Sequence, residues 1–302
     1  MIAIFGPTAA GKTAVAVELA DLLRARGERP IAVSCDAIQV YRGLEVLSGA
    51  PDAAERERLE HELVGIVDVD EEFSAGRFAE LARGIIDAAL VAGRTPIVVG
   101  GTGLYMRAAL ADLDLRPPVP AAVRAEVEAL VAARGPAAAH AELEPDVAAR
   151  IHRNDRKRIA RALELQRVGI DPPGRGRRLW TARLRHPTVL AGIVADRTEL
   201  AERIDRRVEA MVAAGAAAEA RAALAAGASR TARAALGLEE LLAGDAAAAK
   251  AAHRRYARRQ VGWMRRMAGV ETIDRSGRSD RETAAAILAL LDRGPGGAPG
   301  AG

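Results

Sequence analysis

The sequence predicts an α/β protein: a parallel sheet with flanking helices, into which a helical lobe is inserted. Gly6-Pro7-Thr8-Ala9-Ala10-Gly11-Lys12-Thr13 completes the pattern G-x-x-x-x-G-K-[ST] directly after an apolar run. Short apolar runs then alternate with helix-period segments through the first third of the chain. A later stretch, Leu115–Arg185, carries no strand pattern. Strands alternating with helices build parallel sheets covered on both faces, and the glycine-rich motif between strand and helix makes this one a P-loop-type sheet.

The run Met1–Phe5 reads as a buried strand and Thr13–Arg26 as the apolar-periodic helix after the motif. Further strands are expected at Pro30–Ser34 and Thr95–Val99, separated by a helix from about Gly76 to Ala92, and much later at Thr188–Val194. The strand-free stretch opens on a Pro-rich turn, Arg116-Pro117-Pro118-Val119-Pro120. It contains helical patterns at Ala121–Arg134, Ala137–Leu143 and Arg156–Val168, and breaks in the Gly/Pro/Arg run Gly169–Arg178. After Asp196 helices continue to about Met267, followed by a short strand, Glu271–Asp274, and a helix near Asp280–Asp292. The expected organisation is thus a first part of the core at 1–114, an inserted helical lobe at 115–186, a second part with basic C-terminal helices at 187–293, and a disordered Gly/Pro-rich tail at 294–302.

Composition excludes several classes. No segment approaches the roughly 18 uninterrupted apolar residues of a membrane span, and no signal peptide is expected. A single cysteine, Cys35, excludes an internal disulfide and fits a reducing cytoplasm, so a cytoplasmic protein is expected; a monomer is expected as well. A pI near 9.7 with a net charge of +4 permits a polyanionic partner without demanding one. Arg is spread throughout the chain, so only its clustering is informative.

In the glycine-rich motif, backbone N–H groups of Gly6, Thr8, Ala9, Ala10 and Gly11 can turn inward on a phosphate chain. The following helix adds its partial positive charge, Lys12 a point charge, and Thr13 a hydroxyl suited to Mg²⁺. Among 44 Lys+Arg there are only three lysines, Lys12, Lys157 and Lys250. An Arg-preferring chain has kept Lys where this chemistry needs it, so the motif binds a di- or triphosphate.

Asp36 follows the strand Pro30–Ser34, where open α/β sheets place ligand groups. It can act as general base or help to hold Mg²⁺; its alternative role is to cap the next turn. Gln39 offers a donor and an acceptor, which suits a base edge. The strand Thr95–Val99 runs into Gly100-Gly101-Thr102-Gly103, where a hydrolytic P-loop enzyme would carry a metal-binding Asp. No acid stands there, and Thr102 can instead hydrogen-bond phosphate or substrate. Two basic clusters follow, Arg150–Arg161 and His253–Arg266. The second includes Tyr256 and Trp263, two of only five Tyr and Trp residues in the chain. Cations with aromatic rings suit a nucleic-acid surface, while Tyr256 and Trp263 at i and i+7 equally suit core anchors.

In order and spacing, the blocks GPTAAGKT (Gly6–Thr13), SCDAIQVYRGLEV (Ser34–Val46), PIVVGGTGLY (Pro96–Tyr105), RIHRNDRKRIARALE (Arg150–Glu164), RIDRRVEAMVAAG (Arg203–Gly215) and RYARRQVGWMRR (Arg255–Arg266) resemble the tRNA dimethylallyltransferases, the tRNA isopentenyl-adenosine synthase family. The resemblance spans nearly the whole chain. It implies transfer of a dimethylallyl group from dimethylallyl diphosphate to N6 of the adenosine 3′ of the anticodon in tRNA. It also implies diphosphate held by the loop in place of ATP, Mg²⁺ bound through Thr13, and Asp36 taking the proton from the amine. Thr102 would bridge acceptor and donor, and Arg207 would contact the diphosphate with Lys12. The tRNA positions it implies are Asp36, Ala37, Ile38, Gln39, Thr102, Arg124, Lys157, Arg158, Arg161 and the Ala234–Glu239 turn; the basic cluster of the C-terminal helix adds Arg258 and Arg259. The sequence departs from the family at Ser48-Gly49-Ala50-Pro51, which lacks a Lys at Ala50, at Leu238 in place of an aromatic, at Arg258 in place of Lys, and in the short link Gly169–His186.

Alternatives are an adenylate prenyltransferase, a P-loop small-molecule kinase and a nucleotide-gated RNA-binding protein. The inserted lobe and basic helix favour tRNA over a free nucleotide, and the Gly-Gly-Thr strand end disfavours the kinase. Loss of prenyl transfer on Asp36→Ala without loss of folding separates the enzymes from the binding protein.

Overall fold

In a computed structural model, which describes residues 1–172 and 183–293, six parallel strands form one sheet in the order β3-β2-β4-β1-β5-β6. They are β1 (Ile2–Phe5), β2 (Pro30–Ser34), β3 (His61–Glu62), β4 (Thr95–Gly100), β5 (Val189–Val194) and β6 (Val270–Asp274). Residues 173–182, which include the end of the Gly/Pro/Arg run, and 294–302, the tail expected to be disordered, lie outside the described residues.

The sheet exists because its inner strands are buried along their length. Every residue of β1 and β2 is buried, the pattern of a strand covered on both faces. β1 lies centrally, pairing with β4 through Ile2–Ile97 to Phe5–Gly100 and with β5 through Ile2–Val189 to Phe5–Gly192. On one face, Val15, Leu19 and Leu23 of the helix Lys12–Arg24 join Ala284, Ile287 and Leu290 of the helix Asp280–Arg293 against Ile2, Ile4 and Ile97. The strand β3 has no counterpart among the strands expected from the sequence. Two residues are too few to show a period of two, and its pairing with Ala32 and Val33 alone defines it.

The register positions the site. Ser34 is opposite Val99, and beyond it the Cys35 N–H donates to the Val99 carbonyl at 2.7 Å. A Cβ on Gly100 would come within 2.4 Å of the Cys35 carbonyl oxygen, so glycine at 100 is what lets the two strand ends run this close. The chain leaving β1 at Gly6, that leaving β2 at Asp36 and that leaving β4 at Thr102 therefore emerge at the same carboxyl edge.

The described residues of Met1–Leu113 and Arg178–Gly302 make up one compact unit and those of Asp114–Arg177 a second. Within the second, Val127, Val131, Ala139, Ile159 and Leu163 form a separate apolar core. Its long helix, Ala121–His140, has a non-helical residue at Gly135 (φ 76°) just before Pro136, so it is two helices joined at a kink, close to the expected break after Arg134. The helix Arg156–Arg167 starts at Asp155, whose carboxylate accepts from the Arg158 N–H at 3.1 Å.

Candidate active site

The phosphate loop turns back through two left-handed residues, Ala9 (φ 61°) and Gly11 (φ 74°), before the helix starts at Lys12. Left-handed backbone is costly for alanine, and such strain marks loops whose N–H groups are held for a ligand. Two outside groups brace it. The Thr8 N–H donates to Gln260 Oε1 at 2.7 Å, and the buried Arg275 donates to the Ala10 carbonyl and to Asp280 Oδ1 at 2.9 Å. Lys12 Nζ donates to the Pro7 carbonyl at 2.8 Å, folding its ammonium back over the loop.

Three charged side chains converge there. Burial and, after it, the Arg207 guanidinium push the Lys12 ammonium down to about 8, with Asp36 opposing both. Burial likewise lowers Arg207, against the pull of Asp36 and Glu55. Arg207 reaches the loop from the helix Arg197–Ala213, and its Nη2 donates to the Ser48 carbonyl at 2.9 Å. A Cβ on Gly49 would sit 2.1 Å from that nitrogen, so the Ser48-Gly49 turn is the recess in which the guanidinium lies. Its Nε is buried with no hydrogen-bond partner among the described residues. Two crowded cations, one with an orphaned donor, suit an anion of more than one negative charge.

Asp36 caps the next turn, one of the roles that its sequence position allows, and its charge faces the phosphate loop. Its Oδ1 accepts from the Ile38 N–H at 2.9 Å and the Gln39 N–H at 3.4 Å, a turn cap, and its charge is felt at Lys12, Arg207 and Tyr256. Asp36, Ala37, Ile38 and Gln39 are all partly exposed. Gln39 is committed inside the protein, accepting from Ser34 Oγ at 2.8 Å and donating to the Gly49 carbonyl at 3.0 Å, so reading a base would exchange one of these bonds.

Thr102 lies 3.4 Å, oxygen to oxygen, from the Tyr256 hydroxyl. Burial first and the Asp36 carboxylate second raise the Tyr256 phenol above its ordinary value, so it stays a proton donor. Tyr256 and Gln260 belong to this site, and the sequence does not single them out as parts of it. The available signal is their spacing on the helix Ala246–Met264 with Trp263, which shares their inward face, while Arg258 and Arg259 are exposed. The Arg259 guanidinium stacks 5.3 Å over the Tyr256 ring.

In the second unit Lys157 and Arg158 are exposed. Arg161 donates to Glu164 at 3.0 Å and to the Pro117 carbonyl at 2.6 Å, and Arg124 lies 3.9 Å from the same carboxylate, so both cations balance a buried acid. The Ala234–Glu239 turn follows a 3₁₀ segment at Ala232–Ala234 and starts a short helix after Gly237.

Among the described residues no group of three or more His, Cys, Asp or Glu could hold a metal ion. A hydroxyl at Thr13 beside an anion site fits Mg²⁺ arriving with phosphate oxygens and water as its other ligands. Among the described residues, too, no helix is long and apolar enough to cross a membrane.

The IPP transferase family model matches residues 39–267, and the isopentenyl transferase model matches residues 1–72. A tRNA dimethylallyltransferase of Anaeromyxobacter sp. (strain Fw109-5) is 43% identical over 286 residues, 90% of this chain and 94% of its own. One from Rhodospirillum centenum is 43% identical over 283 residues, 88% of each chain. The crystal structure of the full-length tRNA isopentenylpyrophosphate transferase from Bacillus halodurans superposes with a TM-score of 0.68 at 32% identity, covering 97% of this chain and 96% of that one.

Proposed function

The chain belongs to the tRNA dimethylallyltransferase family, and from that membership we propose that it transfers a dimethylallyl group from dimethylallyl diphosphate to N6 of the adenosine 3′ of the anticodon in tRNA, releasing diphosphate. The observation that carries this reading is the convergence of Lys12, Arg207 and Asp36 at the phosphate loop, with Thr102 and Tyr256 beside them. Two cations suit a departing diphosphate, and a carboxylate among them suits a proton acceptor.

The bond from the prenyl carbon to the diphosphate oxygen breaks, and its electron pair leaves with the diphosphate. The N6 lone pair forms the new C–N bond, and the N6 proton passes to Asp36. N6 is a weak nucleophile because its lone pair is delocalised into the purine, so a positioned acceptor oxygen helps. Lys12, Arg207 and the loop N–H groups stabilise the charge that develops on the leaving oxygen. Thr102, held by Tyr256, orients the amine towards the donor. Thr13 and the diphosphate oxygens would hold Mg²⁺, which when bound supplies further neutralisation of the leaving group.

The acceptor base lies in an unpaired loop, so drawing it into the site costs little. Arg258 and Arg259 on one unit, and Lys157 and Arg158 on the other, supply cations for tRNA phosphates. Arg124 and Arg161 meet tRNA only where their pairing with Glu164 leaves donors over. The enzyme works as a cytoplasmic monomer. Nuclease digestion and mass spectrometry of an anticodon stem-loop incubated with enzyme, donor and Mg²⁺ test the reading. N6-(dimethylallyl)adenosine at that position supports it, and an unmodified adenosine there refutes it.

A further inference from the structure

Gln260 is 4% exposed, and both ends of its amide are used. Its Oε1 accepts from the Thr8 N–H of the phosphate loop at 2.7 Å, and its Nε2 donates to the Gly101 carbonyl at 2.8 Å. One partner can only donate and the other only accept, so the orientation of the amide is set by its neighbours. Gln260 is also flanked along its helix by two side chains that meet the same glycine-rich loop after β4. Tyr256, one turn before, meets Thr102, and Trp263, nearly one turn after, covers Gly103 so closely that a Cβ there would come within 2.3 Å of its ring. Three inward residues of one helix thus grip Gly101, Thr102 and Gly103, and the middle one also reaches the phosphate loop.

We propose that Gln260 is a positioning residue that holds the phosphate loop and the Gly100–Gly103 loop in one register, so that the donor and the Thr102 that orients the acceptor keep a fixed separation. The role rests on the transfer reaction assigned above. Gln260 touches neither substrate. It acts through Thr8 on the loop that binds the leaving group and through Gly101 on the residue next to Thr102. The pairing of β1 with β4 ends at Phe5 and Gly100, so it does not itself extend to Thr8 or Thr102.

The test uses Gln260→Met, which fills the same space without either hydrogen bond, and Gln260→Glu, which keeps an acceptor for Thr8 but sets an oxygen against the Gly101 carbonyl. In single-turnover transfer to a stem-loop, both variants are expected to lose roughly a hundredfold in rate, the scale of a misplacement near 1 Å. Affinities for inorganic diphosphate with Mg²⁺ and for the stem-loop stay close to wild type. A purely structural role would instead lower the folded fraction and leave the rate per folded site unchanged, and that result overturns the proposal. Hydrogen exchange gives a readout independent of the reaction. Adding Mg²⁺ and diphosphate is expected to protect residues 6–13 and 100–103 together in wild type, but only 6–13 in the variants. Equal protection of 100–103 in all three overturns the proposal. Correlated protection in a wild type that modifies no stem-loop would refute the assigned reaction and leave the coupling of the loops standing.

Discussion

Arg207 and Lys12 lie close enough together that the guanidinium helps to depress the ammonium. Like charges are brought together in a folded protein only where something offsets the repulsion. Asp36 offsets part of it here, and a diphosphate would offset the rest. Arg207→Gln removes one of the two cations while keeping a side chain able to donate to Ser48. It is expected to lower kcat/KM for the prenyl donor at least about a hundredfold, the scale set by losing one preorganised donor to a developing anion. Steady-state kinetics at saturating tRNA checks this, and a fall of less than about tenfold would remove Arg207 from the leaving-group site.

Asp36→Ala is expected to lower turnover at least about a hundredfold, the size of a general-base contribution, with little change in tRNA affinity. The same change removes the turn cap on Ile38 and Gln39. Asp36→Asn, which retains an acceptor oxygen for that cap, therefore separates the roles. Both variants slow if the carboxylate accepts the proton, whereas recovery in the Asn variant would assign Asp36 to the cap alone.

Replacing Arg258 and Arg259 together with Ala is expected to weaken tRNA binding and to flatten its dependence on salt, by about one unit of log–log slope for each phosphate that is no longer neutralised. Filter binding across a salt series measures it. An unchanged slope would mean that this exposed face does not meet the nucleic acid.

His253, 1% exposed on the buried side of the helix Ala246–Met264, predicts a pH dependence of stability. Burial pushes its imidazole below the ordinary value and the Arg207 cation pushes it further, against a hydrogen bond to the Ala249 carbonyl and the charge of Glu240. The folded chain thus keeps His253 neutral where the unfolded chain, titrating near 6.5, takes up a proton. Stability is full above that pH and is lost as pH falls below it. His253→Gln is expected to flatten the fall in Tm between about pH 7.5 and 5.5, leaving a residual slope from His61, which burial also holds down. An unaltered slope would show that His253 is not the linked group.

The elements that the sequence declares are those with local signals. The bounds of β2 match the apolar run Pro30–Ser34, and the phosphate loop is legible because its glycines, lysine and threonine stand at fixed spacing. The strand order is not legible, since β4 inserts between β1 and β2 through pairings that join residues far apart in the chain, Ile2 with Ile97 and Pro30 with Thr95. The partners of the site are hidden for the same reason. Gln260 reads as one polar residue in an Arg-rich helix, and its link to Thr8 spans 252 positions. Arg275 likewise shows nothing of its buried hydrogen bond to Ala10. Tyr256 and Trp263 have two local readings, and the structure turns both inward on the Thr102 loop.

Prenyl transfer to tRNA is tested by incubating the enzyme with radiolabelled dimethylallyl diphosphate, Mg²⁺ and either an unmodified anticodon stem-loop or AMP. Label on the stem-loop adenosine and none on AMP is the predicted result. Label on AMP alone, or on neither with ATP consumed in its place, would contradict it.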